Sequence, residues 1–125
     1  MAKITTLLKE MSDEIPGLAA TSVVGMDGLG IAYYSPDPNF DVEIADAQFA
    51  LILKLVHKTC NQLGDPKVED NLVTTANNYI LTLFLGDGSY YLSVSVDKSS
   101  ASLGNVRLFA RQYADAIWKS IPKRR

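Results

Sequence analysis

Residues 42–63 read VEIADAQFALILKLVHKTCNQL, and this stretch holds more apolar residues than one buried face of a helix requires. Placed at about 100° per residue, it predicts a helix with an apolar stripe that packs on the chain's own sheet. That stripe consists of Val42, Ala45, Phe49, Ile52, Leu53, Val56, Cys60 and Leu63. A second apolar group, on a different side of the helix, consists of Ile44, Ala47, Leu51 and Leu55.

The second group predicts a surface that something must cover. Leaving Leu51 and Leu55 in water forgoes roughly 1.5–3 kcal/mol each and creates a patch typical of an interaction surface. Another helix of the same chain could cover it, but we favour a second copy across a two-fold axis. Stretch 68–75 is half polar and predicts an edge strand, which pairing with its own copy would protect. The predicted dimer interface comprises Ile44, Ala47, Leu51, Leu55, Val68, Leu72 and Val73.

The flanking sequence supplies two further helices and a sheet. An amphipathic helix over 3–13 precedes strands 19–25 and 29–34, which Asp27-Gly28 joins as a two-residue turn with positive φ at both positions. Asp41 is predicted to cap the middle helix, which ends at Gly64. Strands 68–75, 79–85 and 90–96 follow, the last with one buried face, and Ser102 caps a helix over 103–120. The order predicts an α/β (α+β) fold with a five-stranded, mainly antiparallel sheet.

Composition limits the function classes. The 125 residues fit a single domain, 1–125, and 47% hydrophobic residues suffice for a core. A net charge of −2 offers no basic excess for nucleic acid, and the tail Lys123-Arg124-Arg125 is expected to be solvated. No apolar run approaches the roughly 20 residues needed to span a bilayer. One cysteine and no secretory signal predict a reducing, cytoplasmic location.

The residues of common catalytic sites are sparse. His57 is the only histidine and Cys60 the only cysteine, too few for a zinc site. The glycine-rich stretch 25–30 lacks the Gly-Lys-Ser/Thr of a phosphate loop and leads into a strand. We therefore predict no catalytic residue, no metal and no cofactor.

Taken together, the segments resemble the roadblock family, also called the dynein light chain roadblock type. The resemblance rests on the order and spacing of several short motifs along nearly the whole chain. These are Ile15-Pro16-Gly17-Leu18, the hairpin Val23 to Ala32, the long Ala-rich middle helix, Leu85-Gly86-Asp87-Gly88-Ser89 with its following strand, and Leu103-Gly104-Asn105-Val106-Arg107.

The resemblance implies a fold, a partner and a surface. It implies the middle helix on one face of the sheet, the terminal helices on the other, and a homodimer or heterodimer formed by the middle helices and third strands. Family members bind small GTPases or serve as dimeric platforms in motor and signalling assemblies, and those resembling bacterial gliding-motility regulators stimulate GTP hydrolysis by their GTPase partner. The GTPase-facing surface would include Glu43, Asp46, Ala50, Lys54 and His57. Arg107 and Arg111 are expected to be solvated rather than to act as arginine fingers.

Two other functions remain open at this point. The chain could be a structural platform or cargo adaptor in a motor or signalling assembly, without GTPase activation. It could also be a sensor that binds a small ligand inside the fold, which requires a sizeable cavity. The bulky residues Tyr79, Phe84, Tyr90 and Leu92 predict a filled core instead.

Overall fold

The computed structural model describes residues 2–39 and 43–122. The predictions for Asp41, Val42 and the tail 123–125 lie outside the described residues, as do the side chains of Glu43 and Ile44. The elements are α1 (Ala2–Glu14), β1 (Leu18–Gly25), β2 (Gly30–Tyr34), α2 (Glu43–Gln62), β3 (Asn71–Thr74), β4 (Asn78–Leu85), β5 (Tyr90–Asp97) and α3 (Leu103–Ser120).

The five strands form one antiparallel sheet in the order β2-β1-β5-β4-β3. Strands β1 and β5 pair at its centre, with Val23 opposite Leu92 and Val24 opposite Tyr91. Both hairpins, β1–β2 and β4–β5, therefore turn at the same end of the sheet. The predicted fold class is confirmed.

The larger hydrophobic core lies between the sheet and the two terminal helices. Leu8 of α1 and Ile117 of α3 are fully buried there against Val23 and Leu92. The next residue in each strand points to the opposite face, as the strand period requires. On that face α2 covers a smaller core made of Val24, Ala50, Leu53 and Tyr91. The layer order implied by the sequence resemblance is thus confirmed.

Strand β5 is buried on both faces near its start, which the alternating pattern did not predict. Leu92, Val94 and Val96 point into the larger core, while Tyr91 is completely buried beneath α2. A tyrosine can occupy such a position when its hydroxyl finds a hydrogen-bond partner.

The β1–β2 turn is longer than the predicted two-residue turn. Gly28 has φ +91°, but no non-glycine residue among the described ones has positive φ, so Asp27 does not. Gly28 N donates to Gly25 O at 2.9 Å, and Gly25 N donates to Leu29 O at 2.9 Å. Asp27 Oδ1 accepts from Leu29 N at 3.0 Å, which stabilises this alternative turn.

A serine side chain caps the N-terminal end of α3. Ser102 Oγ accepts from Asn105 N, so the predicted N-cap of α3 is confirmed.

In the part of the chain that the structure describes, no helix combines the length and apolar character needed to cross a membrane.

Candidate functional site

The inner face of α2, which packs on the sheet, differs from the predicted one. Asp46, Ala50 and Leu53 are its buried residues, at 6%, 2% and 1% exposure. Asp46 and Ala50 were predicted to face a GTPase. That prediction was wrong, because both side chains are enclosed between the helix and the sheet.

Three residues predicted to be covered by the sheet are exposed. Ile52 and Leu63 are 43% and 78% exposed, and Ala45 is also exposed. The other predicted members of the inner face, Phe49, Val56 and Cys60, are half-buried rather than buried, and Phe49 packs against the smaller core. The observed inner face is rotated toward Asp46 because Ser22 and Tyr91 of the sheet donate hydrogen bonds to that residue.

Asp46 holds the first half of α2 on the sheet through hydrogen bonds from β1 and β5 and a close approach to β2. Ser22 Oγ donates to Asp46 Oδ1 at 2.9 Å, and Tyr91 Oη donates to the backbone carbonyl of Asp46 at 2.6 Å. A Cβ at Gly30 would lie 2.9 Å from Asp46 Oδ2, so the glycine allows this close approach. Burial, and then the negative charge of Asp46, raise the pKa of Tyr91 far above its usual value.

The outer face of α2, defined here as Ala47, Leu51, Ile52 and Leu55, is uncovered. Leu51 and Leu55 are 66% and 64% exposed, and Ala47 is exposed beside them. Helices α1 and α3 pack in the core on the other side of the sheet. The possibility that another described helix of the same chain covers this face is therefore excluded.

Strand β3 forms one edge of the sheet and is shorter than predicted. It spans Asn71–Thr74 and pairs with β4 alone. Leu72 and Val73, two of the predicted interface residues, are half-buried in it. Val68 is half-buried too, but lies in the segment before the strand. The edge offers unpaired backbone groups next to partly exposed apolar side chains.

An ion-pair cluster anchors the start of β3 to α3. Arg107 donates from Nε and Nη2 to the two carboxylate oxygens of Asp70, both at 3.2 Å. Arg111 Nη2 donates to Asp70 Oδ2 at 3.2 Å and to Glu69 Oε1 at 3.4 Å. Arg111 is exposed, as predicted, although it is ion-paired, whereas Arg107 is half-buried rather than simply solvated.

A groove lined by basic residues and by Asp87, which we call the α2 groove, runs beside the second half of α2. Exposed Lys54 and His57 line it together with Lys67, over a floor that includes Met26 and Phe84. Its volume is about 380 Å³. The His57 ring meets the Phe84 ring edge-on, with centroids 6.1 Å apart. Lys54 and His57 are therefore exposed in this groove, whereas Lys67 had no distinguishing sequence signal.

Among the described residues there is neither a metal-binding cluster nor a large pocket beneath α2. Within residues 2–39 and 43–122 no group of three His, Cys, Asp or Glu side chains could hold a metal ion. The pocket between α2 and the sheet measures about 80 Å³. That is well below the roughly 300 Å³ at which ligand pockets begin. The arrangement does not favour a sensor with its ligand beneath α2.

Comparison with known proteins identifies the architecture. Neither a family model nor a curated protein sequence matches the chain. Among solved structures, Myxococcus xanthus MglB is similar with a TM-score of 0.85 at 18% identity, over 95% of this chain and 94% of that chain. Gliding protein MglB from Thermus thermophilus gives 0.84 at 16% identity, over 94% and 87%. A Roadblock/LC7 domain from Streptomyces avermitilis gives 0.74 at 16% identity, over 93% and 92%. This chain therefore has the roadblock-type fold.

Proposed function

We propose that this protein is a homodimeric, cytoplasmic regulator of a Ras-like small GTPase, which it activates or holds as a scaffold. The observation that carries the proposal is the uncovered outer face of α2, where Leu51 and Leu55 are about two-thirds exposed. The roadblock-type fold supports it, because several similar structures are those of gliding proteins named MglB.

The dimer would place the outer face of α2 against its own copy. Burying Leu51 and Leu55 would recover roughly 1.5–3 kcal/mol for each side chain, and a two-fold axis would use each residue twice. Pairing of the two β3 edges would satisfy the backbone groups that each copy leaves unpaired. One similar structure, at TM-score 0.84 and 17% identity, is described as MglB with a tetrameric arrangement, so self-association occurs in a protein of this fold.

The GTPase would dock beside the dimer on the α2 groove. Lys54 and His57 remain in the proposed contact surface, with Lys67 added and Asp46 and Ala50 removed. Glu43 stays in the proposal on the strength of its position in the first turn of α2. Among the described residues, Arg107 and Arg111 are held by Asp70, so we assign neither of them the role of an arginine finger.

Sedimentation of two matched leucine variants tests the dimer. Leu51→Glu is expected to give monomers at micromolar concentration, since two carboxylates would meet across the axis. Leu108→Glu makes the same change on α3, where the leucine is 49% exposed on the opposite side of the sheet, and is expected to remain dimeric. A wild-type protein that sediments as a monomer would contradict the proposal.

Binding and hydrolysis measurements test the GTPase assignment. A Ras-like GTPase from the same genome is mixed with the protein in its GDP and GTP states, and complex formation and hydrolysis rate are recorded. Lys54→Glu is expected to weaken the complex without dissolving the dimer. A complex with an unchanged rate would assign the scaffold role, the alternative function predicted from the sequence. Absence of a complex in both nucleotide states would refute the proposal.

A further inference from the structure

A second recessed surface lies at the end of the sheet where both hairpins turn. It is an open cleft of about 820 Å³ between the β1–β2 turn, the β4–β5 turn and the C-terminal end of α3. Its apolar lining includes Leu29, Ile31, Tyr90, Trp118 and Ile121. Leu29 is 68% exposed at its margin. The size falls within the range of binding pockets, which bury apolar groups of a ligand.

The aromatic wall of the cleft is held in place by the fold. The Trp118 indole lies so close to the backbone of Gly86 that a Cβ at that position would overlap the ring. Gly86 also has φ +52°, in the left-handed region. The Tyr90 ring lies 6.4 Å from that of Trp118, at an angle of 57°. Two adjacent aromatic rings, each packed against the edge of the larger core, are thus fixed at the cleft.

Two carboxylates give the cleft its charge. Asp27 belongs to the β1–β2 turn and Asp87 to the β4–β5 turn, and both line the cleft. Asp27 Oδ1 accepts from Leu29 N at 3.0 Å, and Asp87 Oδ1 accepts from Ser89 N at 3.0 Å, so each side chain is fixed by its own turn. No Lys, Arg or His occurs among the described residues that line the cleft.

We propose that this cleft is a docking site for a segment of a partner protein that carries lysine or arginine between apolar residues. Apolar side chains of the segment would fill the space between Leu29 and Ile121. Its cations would meet Asp27 and Asp87 and the faces of the two aromatic rings, which attract ammonium and guanidinium groups. The charge complementarity selects a basic segment over an acidic one.

This site lies largely apart from the α2 groove, with which it shares Met26 and Asp87 at the end of the sheet where the hairpins turn. Trp118 and Tyr90 pack with the larger core, on the face covered by α1 and α3. The outer face of α2 lies beyond the opposite side of the sheet. The docking segment can therefore bind with the dimer intact, and the inference does not depend on the proposed function.

Fluorescence of Trp118, the only tryptophan, provides a direct test in the full chain. The probe is a synthetic seven-residue peptide without aromatic residues, with two arginines among leucines and valines. We expect a saturable change in Trp118 emission with a Kd in the micromolar range, about 1–100 µM. A matched peptide with glutamate in place of both arginines is expected to bind about tenfold more weakly or not at all.

Charge-removing variants distinguish binding of the arginine peptide in the cleft from nonspecific attraction to the acidic surface of the protein. Asp27→Asn with Asp87→Asn keeps a side-chain carbonyl for each turn hydrogen bond but removes both charges, and should weaken the arginine peptide about tenfold. Asp37→Asn is the control, because Asp37 Oδ1 also accepts a backbone N–H two residues on, from Asn39 at 2.9 Å, in a loop outside the cleft. It should leave the affinity unchanged.

Several results would overturn the proposal. These are equal affinity for the two peptides, equal loss in the control and cleft variants, or no saturation at about 1 mM peptide. A Trp118 emission that changes on dilution of the protein alone would assign the cleft to a second copy instead. Isothermal titration of Trp118→Leu, which removes one ring and the fluorescence, is expected to show weakened binding of the arginine peptide.

Discussion

One hydroxyl group determines how firmly α2 is held on the sheet. Tyr91 Oη donates to the Asp46 carbonyl at 2.6 Å, in a fully buried position. Tyr91→Phe removes the donor and leaves that carbonyl without it, which should lower the free energy of unfolding by about 1 kcal/mol. Urea denaturation of the two proteins at neutral pH measures the difference.

The same residue predicts a dependence of stability on alkaline pH. Burial raises the pKa of Tyr91 in the folded protein, whereas an unfolded chain ionises near the ordinary value of about 10. The contribution of Tyr91 is therefore complete below about pH 10 and is lost as the pH rises above it, because the unfolded state releases the proton first. Tyr91→Phe should lose stability less steeply above pH 10 than the wild type. An equally steep loss of stability with pH in the two proteins would contradict the assignment of this effect to Tyr91.

Two glycines with positive φ allow backbone strain to be separated from steric overlap. Gly64, at φ +81°, has no atom within 4 Å of the place that a Cβ would occupy, whereas Gly86, at φ +52°, lies against Trp118. Gly64→Ala should lower stability by about 1 kcal/mol through strain alone. Gly86→Ala adds the overlap and should lower it by roughly 2–4 kcal/mol. Chemical denaturation followed by circular dichroism compares them, and equal losses would show that Trp118 moves aside freely.

At the scale of elements, the sequence predicts α2 as a helix with two apolar groups but misplaces its inner face. Hydropathy assigns a carboxylate to solvent, and nothing within the helix indicates that Asp46 is buried. Its burial depends on Ser22, which lies 24 residues away, and on the close approach at Gly30. The same limit applies to Tyr91, whose partner is 45 residues away. Local periodicity predicts elements well, while the rotation of a helix depends on such distant pairs.

The ion-pair cluster between α3 and β3 yields a prediction at this scale. Asp70 has a side chain only 13% exposed and accepts from both Arg107 and Arg111, whereas the Glu69 side chain is 75% exposed. Asp70→Asn should lower the free energy of unfolding by about 1–2 kcal/mol. Glu69→Gln should change it by less than about 0.5 kcal/mol, as exposed pairs generally do. Thermal denaturation of both variants measures this contrast, and similar effects would show that Asp70 does not anchor β3.

At the scale of the whole molecule, basic and acidic residues are unevenly distributed although the net charge is only −2. The α2 groove carries Lys54, His57 and Lys67, while the cleft beside Trp118 carries Asp27 and Asp87. The two surfaces share Met26 and Asp87 at the end of the sheet where the hairpins turn. Surfaces that differ in their balance of basic and acidic residues favour different partners, so one domain of this size can connect two molecules.

Dimerisation through the outer face of α2 makes the stability of the whole protein depend on its concentration. If the dimer is the folded form, mass action stabilises it by about 1.4 kcal/mol per mole of dimer for each tenfold increase in concentration. With about 2.1 cal/mol/K of unfolding entropy per residue, a dimer of this length should gain about 2–3 °C in Tm per tenfold increase. Scanning calorimetry between about 1 and 100 µM measures the slope. Leu51→Glu should abolish it and Leu108→Glu should retain it. A wild-type Tm that does not change over this range would mean that the outer face of α2 stays uncovered in solution, and the dimer proposal would then fail.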